Sequence, residues 1–486
     1  MSQKVVPAAE AAGLRVTAEQ LTPRDAVFVY DEFERHPSNI VAAYVFDAAA
    51  AEATPTSSEQ AYAWVRDRLG YSKLFHRRLE RVPGDIDLPY WVPDREFDIR
   101  DHVTVGGPQL REWSEVRRRI AEIAATRMDL SRPPWGIHIF DQVAGYPGKS
   151  AVTVVVLGFH HSVGDGVATR ELELKLFGGN DFPLPEPVID DREWSAPAAV
   201  LRAVGVLPYR CVRFGAGLVR TRSAAKTVAA RVAADEIREP IAHRPATRFN
   251  RRIGSGLAFD LVTIPMRSVL DAKTGSAERI TVNDLMLTVV SGALATYLAE
   301  KGETPSASLA AMVPISMRGI AQWNSVNQLC QMSVDLHTDR TDPLERLHEI
   351  RLSAQREKRR YADSAVIRRE SRMQTSPAWL LRLAGWARAQ RVFDDADTVP
   401  LSNTTISNVP PTGDRLEFRG APVVNAIGVL PIMDGDGLRH LITSQGDELV
   451  ISFSADAEML PDPEHYGELL VRSFQELAAA LRARRD

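Results

Sequence analysis

Ala151-Val-Thr-Val-Val-Val-Leu-Gly-Phe-His160-His161-Ser162-Val163-Gly164-Asp165-Gly166, with Val167 to Phe177 after it, reads as strand, tight polar loop and helix. Residues 151 to 157 are almost wholly apolar and β-branched, the pattern of a strand buried on both faces, and Leu172, Leu174, Leu176 and Phe177 give a helix its apolar positions. Two histidines therefore leave a buried strand together. An imidazole takes up a proton near neutral pH and returns it within one cycle, so a histidine at a rigid strand end is placed as a general base. Gly164 and Gly166 let the loop turn sharply, and Asp165, four residues after His161, can fold back towards it or pair with a cation elsewhere. A lone histidine at a strand end is more often a partly buried side chain with a backbone partner. The adjacent pair followed by Asp-Gly favours chemistry.

His160 to Gly166 resembles the HHxxxDG signature of the wax ester synthase/diacylglycerol acyltransferase family, within the CoA-dependent acyltransferase superfamily. The resemblance implies that His161 is the catalytic base, with His160 and Gly166 beside it in the signature and Asp165 chiefly a structural ion-pair partner.

Composition sets bounds on the rest. The chain has 486 residues, more than one hydrophobic core normally organises, so two domains of similar size are expected. With 44% hydrophobic residues, 25% charged residues and a net charge of -4, it reads as a soluble globular protein and not as a general nucleic-acid binder. Cys211 and Cys330 stand far apart without a partner motif, which fits a reducing cytosol and excludes a disulfide framework or a cysteine zinc site. Met1 to Gln20 lacks the apolar core of a secretory signal, and no apolar run approaches the length of a transmembrane helix. A cytoplasmic location is the expectation.

Residues 1–190 read as a first α/β domain, 191–245 as a basic helical linker and 246–486 as a second domain. Leu21-Thr-Pro-Arg-Asp25-Ala-Val-Phe28 starts a helix, with Thr22 as N-cap and Pro23 at the first helical position, and is similar to the family's Leu-Ser-Pro-Leu-Asp-Ala segment. A helix expected from Trp113 to Leu130 is stopped by Ser131-Arg-Pro-Pro-Trp135, which partly matches the family's Pro-Leu-Trp; Trp135 serves either a helix-to-strand corner or the substrate. Residues 196 to 233 hold seven Lys or Arg and no Asp or Glu. Beyond Pro208, Arg213, Arg220 and Arg231 recur near whole helical turns, although Gly205, Gly215 and Gly217 weaken a helix. This segment suits either an anionic membrane or lipid-inclusion surface or a solvated helix packed on the second domain.

In the second half, Thr281-Val-Asn283-Asp284 opens a helix and resembles the family's Thr-Val-Asn-Asp signature. Asp284 is accounted for by the helix start; Asn283 is the candidate donor to a thioester oxygen as negative charge develops there. Ala311-Met-Val-Pro-Ile-Ser-Met-Arg318 looks like a family strand ending in Arg, which makes Arg318 the candidate partner of Asp165. Residues 344 to 392 carry twelve Lys or Arg against five acids, with Trp379, Leu380, Leu381, Leu383 and Trp386 near the end. Such a block is most often a solvated face; contact with CoA phosphates or with lipid are the functional options. Thr404-Thr-Ile-Ser407-Asn408-Val-Pro410 resembles the family's Ser-Asn-Val-Pro-Gly-Pro, departing at Pro411-Thr412, and adds Ser407 to Trp135 and Asn283 as substrate-binding candidates. Asp434-Gly-Asp-Gly437 reads as a turn, without the carboxylates a calcium loop requires.

The resemblance runs from Leu21 to about Leu481. It implies two chloramphenicol-acetyltransferase-like domains with mixed sheets and a tunnel between them, and transfer of a long-chain acyl group from acyl-CoA to diacylglycerol, to a fatty alcohol, or to both. It calls for no metal and no cofactor, acyl-CoA being a substrate; the partners are that thioester and a hydroxyl-bearing lipid, and the basic segments leave peripheral contact with a membrane or lipid inclusion as an option. Three other readings stay open: a related acyltransferase acting on a polyketide, sugar or other acceptor, a metal hydrolase using His161 and Asp165 on one helix, and a catalytically silent lipid-binding protein.

Overall fold

The computed structural model describes residues 14–50, 56–107, 111–179, 184–190, 192–275, 279–393, 397–409 and 415–484. Residues 1–13, Pro183 and the 410–412 departure, on which parts of the sequence reading fall, lie outside these. The strand Val152–His160 is buried along its whole length, as its unbroken β-branched run requires. It lies inside a six-stranded sheet ordered Glu417–Phe418, Ala421–Val429, Asn39–Asp47, Val152–His160, Trp135–Val143, Val103–Val105. A second six-stranded sheet runs Leu257–Pro265, Glu448–Asp456, Leu438–Gln445, Thr404–Asn408, Ala310–Ser316, Leu329–Asp335. Both are mixed: Val103–Val105 pairs parallel with Trp135–Val143, and Thr404–Asn408 runs parallel to both neighbours, while the other pairings are antiparallel.

The division by sequence at residues 190 and 246 is not the division between sheets. Ala421–Val429, deep in the second half, pairs with Val41 to Phe46 and so extends the first sheet. The same strand touches the second sheet, where the Ser452 hydroxyl donates to the Gly428 carbonyl at 2.6 Å and the Thr443 hydroxyl to that of Ala426 at 2.5 Å. The two halves are thereby stitched through one strand.

Three helices differ from their sequence reading for physical reasons. Val282–Glu300 is by length and composition apolar enough to cross a membrane, with mean hydropathy 1.3, which corrects the expectation that no such run exists. It is buried on nearly every side among Leu347, Ile350, Leu470 and Phe474, as an all-round apolar helix must be. The basic linker forms one helix, Ala196–Ala233, running through Pro208 and its glycines. Both of its ends are packed, Ala199 and Ala203 on Val82, Tyr90 and Val92, and Val228 on the second half, so tertiary contacts outweigh poor propensity. The Trp113 helix ends at Ala125 instead of Leu130, and Asn39 takes the Ala124 and Thr126 carbonyls at its end.

Candidate active site

His160 and His161 occupy the junction between Val152–His160 and a 3₁₀ turn, His161–Val163. Their backbone is anchored on both sides, His160 N–H donating to the Pro134 carbonyl at 3.0 Å and His161 N–H to that of Ser38 at 2.7 Å. The two rings then have opposite fates. His160 is fully buried, its Nδ1 accepting from the Ser162 N–H at 3.2 Å and lying 2.6 Å from the Ser162 hydroxyl. With Nδ1 an acceptor, Nε2 carries the proton and faces Glu32, 3.7 Å away. Burial raises the Glu32 carboxyl, but His160, the Ser38 N–H and Arg127 outweigh it and hold the group below its ordinary value. His160 is thus spent on holding the strand end.

His161 is half-buried, and its ring lies flat on Phe28, with centroids 4.0 Å apart and an interplanar angle of 6°. Its Nδ1 lies 3.0 Å from Asn327 Oδ1. The Asn327 amide is oriented by its other end, since Nδ2 donates to Asp25 Oδ1 and to the His161 carbonyl, each at 2.9 Å. Oxygen therefore faces the imidazole, Nδ1 bears the proton, and Nε2 keeps its lone pair. Burial, opposed by its own carbonyl and then reinforced by the neighbouring His160, lowers the His161 pKa to about 4, so the ring is neutral at pH 7.

Asp25 closes this arrangement. It sits in the first turn of the opening helix Pro23–Tyr30, beside its cap Thr22, whose hydroxyl donates to Asp25 Oδ2 at 2.6 Å. Its Oδ1 accepts from the Ser325 hydroxyl at 2.7 Å and the Asn327 N–H at 3.1 Å. A carboxylate from the start of the chain thus holds a loop 302 residues away, which holds His161.

Asp165 grips the same loop from the other side. Its side chain is 3% exposed and receives a bidentate fork from Arg318, at 2.7 and 2.9 Å, as well as the Gln328 N–H at 3.1 Å. Arg318 also donates to the Val326 carbonyl at 2.9 Å. His161 and Asp165 do not share a helix, and Arg318 takes both Asp165 oxygens, which removes the geometry that the hydrolase reading needs. No cluster of three metal-ligating residues occurs among the described residues.

Among the described residues no hydrogen bond joins the remaining candidates to His161. Asn283 stands half-buried in the first turn of Val282–Glu300, where Thr281 and Asp284 form a capping box; among the described residues no hydrogen bond joins it to His161. The amide that reaches the histidine is that of Asn327. Trp135 is buried at the start of the strand beside the motif strand, paired with Phe159, stacked on His102 at 4.5 Å and edge-on to Phe75 at 5.0 Å. It packs a corner. Ser407 is half-buried near the end of Thr404–Asn408 in the second sheet, and the helix Gly166–Phe177 starts at Gly166. Asn327, Asp25 and Phe28 were not singled out as site residues by sequence. The only local signal was the acid in the first turn of a helix already capped by Thr22.

Residues 21–286 match the wax ester synthase/diacylglycerol acyltransferase catalytic domain, and 326–478 match the C-terminal domain of the same family. Among curated relatives, a Mycobacterium tuberculosis (strain H37Rv) protein with a provisional diacylglycerol O-acyltransferase name is 26% identical over 482 residues, covering 93% of this chain and 90% of the relative. A second protein of that strain, similarly named, is 25% identical over 473 residues, covering 95% and 100%. Among solved structures, the wax ester synthase/diacylglycerol acyltransferase of Marinobacter aquaeolei VT8 superposes with a TM-score of 0.64 at 20% identity, covering 95% of this chain and all 100% of that one. The trichothecene 15-O-acetyltransferase of Fusarium sporotrichioides superposes with a TM-score of 0.55 at 12% identity, covering 98% and 100%. The fold is that of these acyltransferases, and the catalytic-domain match spans more than half of the sequence with the His160-His161 motif inside it. The chain belongs to the wax ester synthase/diacylglycerol acyltransferase family.

Proposed function

We propose that this protein transfers a long-chain acyl group from acyl-CoA to the hydroxyl of diacylglycerol or of a fatty alcohol, with His161 as general base. The observation that carries the reading is the fixed tautomer: Asn327 holds the Nδ1 proton, leaving Nε2 as a neutral acceptor. An alcohol is too weakly acidic to attack a thioester unaided. Nε2 takes the hydroxyl proton as the oxygen adds to the thioester carbonyl; the tetrahedral intermediate collapses, the C–S bond breaks, and the imidazolium returns the proton to the departing CoA thiolate. Base catalysis of this kind contributes roughly 10² to 10⁴ in rate. These steps need no acyl-enzyme and no cofactor.

Asp165 and Arg318 are structural in this scheme, fixing the loop that presents Asn327. Support for lipid acceptors comes from the family and from the names of the mycobacterial relatives. The test is product analysis by mass spectrometry after incubation with palmitoyl-CoA and, separately, dipalmitoylglycerol, hexadecanol and a water-soluble sugar or polyketide alcohol. Triacylglycerol or wax ester as the dominant product supports the proposal. Ester formed only on the third class transfers the same chemistry to another acceptor and overturns the lipid assignment.

A further inference from the structure

The helix Ala196–Ala233 is inside out. Its buried face consists of Ala199, Ala203, Ala224 and Val228, which recur near whole turns and share one side. Its large apolar side chains point the other way: Leu201 is 76% exposed, Val212 72% and Val219 69%, with Val204, Leu207 and Leu218 also open. A helix that serves only to link two domains has no reason to keep alanine inside and leucine and valine outside.

A second helix continues the surface. In Ala378–Ala389 the positions Trp379, Leu383 and Trp386, spaced i, i+4, i+7, are all more than half exposed, while Ala378, Leu381 and Gly385 are buried. The two helices meet where the Phe214 ring stands edge-on to Trp379, with centroids 6.3 Å apart. Neither helix contains an acidic residue. Arg210, Arg382, Arg388 and Arg231 are taken up by Asp87, Asp85, Asp31 and Asp363. Arg220, Arg222 and Lys226 are exposed and have no ion-pair partner among the described residues.

We infer that this two-helix face docks on a membrane surface rich in anionic phospholipid. The apolar side chains and two tryptophans enter the interfacial region, and Arg220, Arg222 and Lys226 meet the phosphates. A second copy of this chain is the poorer occupant, because neither helix carries an acid that could balance these three cations across a two-fold pairing. The docking goes beyond the acyl-transfer reading and stands without it. Its advantage to the site is short range: Ala378 and Leu381 pack on Ala26, Val29 and Tyr30 of the opening helix, and Gly385 lies against the Tyr30 carbonyl, where a Cβ would clash. The same opening helix carries Phe28, the ring stacked on His161.

The test is sedimentation of the full chain with vesicles of phosphatidylcholine alone and of phosphatidylcholine with phosphatidylglycerol. The proposal expects retention by the anionic vesicles and little by the neutral ones. The triple variant Arg220→Glu/Arg222→Glu/Lys226→Glu should weaken partition by about 100-fold or more, from about 1 kcal/mol for each cation near the surface. Val212→Glu/Val219→Glu should abolish it, whereas Leu270→Glu, exposed on a different helix, should not. All three should melt like the wild type and keep its circular dichroism, which separates lost docking from lost folding. Equal binding to both vesicle types, or wild-type sedimentation of the charge-reversed and Val→Glu variants, overturns the proposal. So does a stable dimer in solution that Val212→Glu/Val219→Glu dissociates, which would assign the face to a second copy.

Discussion

Replacing Asn327 with alanine removes the oxygen that faces His161 Nδ1 at 3.0 Å and the two donations, each at 2.9 Å, to Asp25 and to the His161 carbonyl. Asp25 retains the Ser325 and Thr22 hydroxyls and the residue 327 N–H, so its buried carboxylate is not stranded, and the folding cost should be about 1 to 3 kcal/mol. The catalytic cost follows from the tautomer. Without the amide oxygen the proton is free to sit on Nε2, where it blocks attack; losing one hydrogen bond's discrimination, about 1.4 kcal/mol, corresponds to about tenfold in kcat. KM for acyl-CoA should change by less than about twofold, because the amide acts on the base. The Asn327 bond also raises the His161 pKa, so removing it should move the acidic limb of the pH profile further down. Steady-state CoA release at several pH values, with melting curves alongside, reads all three quantities. Unchanged kcat with raised KM would make Asn327 a substrate contact, and a lowered melting temperature with unchanged kcat would make it structural only; either result refutes the tautomer argument.

Other predictions follow from the same geometry. Arg318→Ala leaves Asp165 buried without its fork and should cost about 3 to 5 kcal/mol in chemical denaturation, with Arg318→Lys recovering only part because it cannot bind bidentately. The acidic limb of kcat/KM should lie near pH 4 rather than at the ordinary histidine value of 6.5; a limb at 6.5 or above contradicts the desolvated, neutral base. Burial also lowers His36 to about 3, His138 to about 4 and His440 to about 3. A histidine depressed in the folded state gives stability that is complete above its unfolded pKa of about 6.5 and is lost as pH falls towards the folded value, by up to about 1.4 kcal/mol per pH unit for each group. Burial raises Glu173 to about 7, and its smaller share runs the other way, present at acid pH and lost as pH rises from about 4.5 to 7. Urea unfolding should therefore show lower stability at pH 5 than at pH 7, and equal stabilities would contradict the histidine burial. Gly385→Ala drives a Cβ into the Tyr30 carbonyl and should cost about 1 to 3 kcal/mol, with a fall in kcat if Phe28 shifts with its helix; an unchanged melting temperature would show that the helices do not pack so closely.

The strand and loop around His160 were legible because their chemistry is local: a β-branched run needs burial on both faces, and Gly-Asp-Gly needs a turn. The Arg318–Asp165 pair was reachable only through resemblance, since nothing in the spacing of two residues 153 apart predicts contact. The Asp25–Asn327–His161 line was missed for the same reason. The strand Ala421–Val429 joins the first sheet because its pairing partner, Asn39–Asp47, is set by tertiary assembly, and alternation within a strand does not state which sheet it enters. The basic linker was read from its cations and weakened by its glycines; the structure shifts the emphasis, with alanines on the buried face and large aliphatic residues exposed beside Arg222 and Lys226.

The central claim is that His161 is the base for acyl transfer out of a CoA thioester. The most direct test is release of free CoA thiol from palmitoyl-CoA, with and without dipalmitoylglycerol or hexadecanol, comparing the wild type with His161→Ala at matched folding by circular dichroism. Acceptor-dependent release that falls by roughly 10² to 10⁴ in the variant is the predicted result. Release that survives His161→Ala undiminished, or no acceptor-dependent release from a folded wild type, would contradict it.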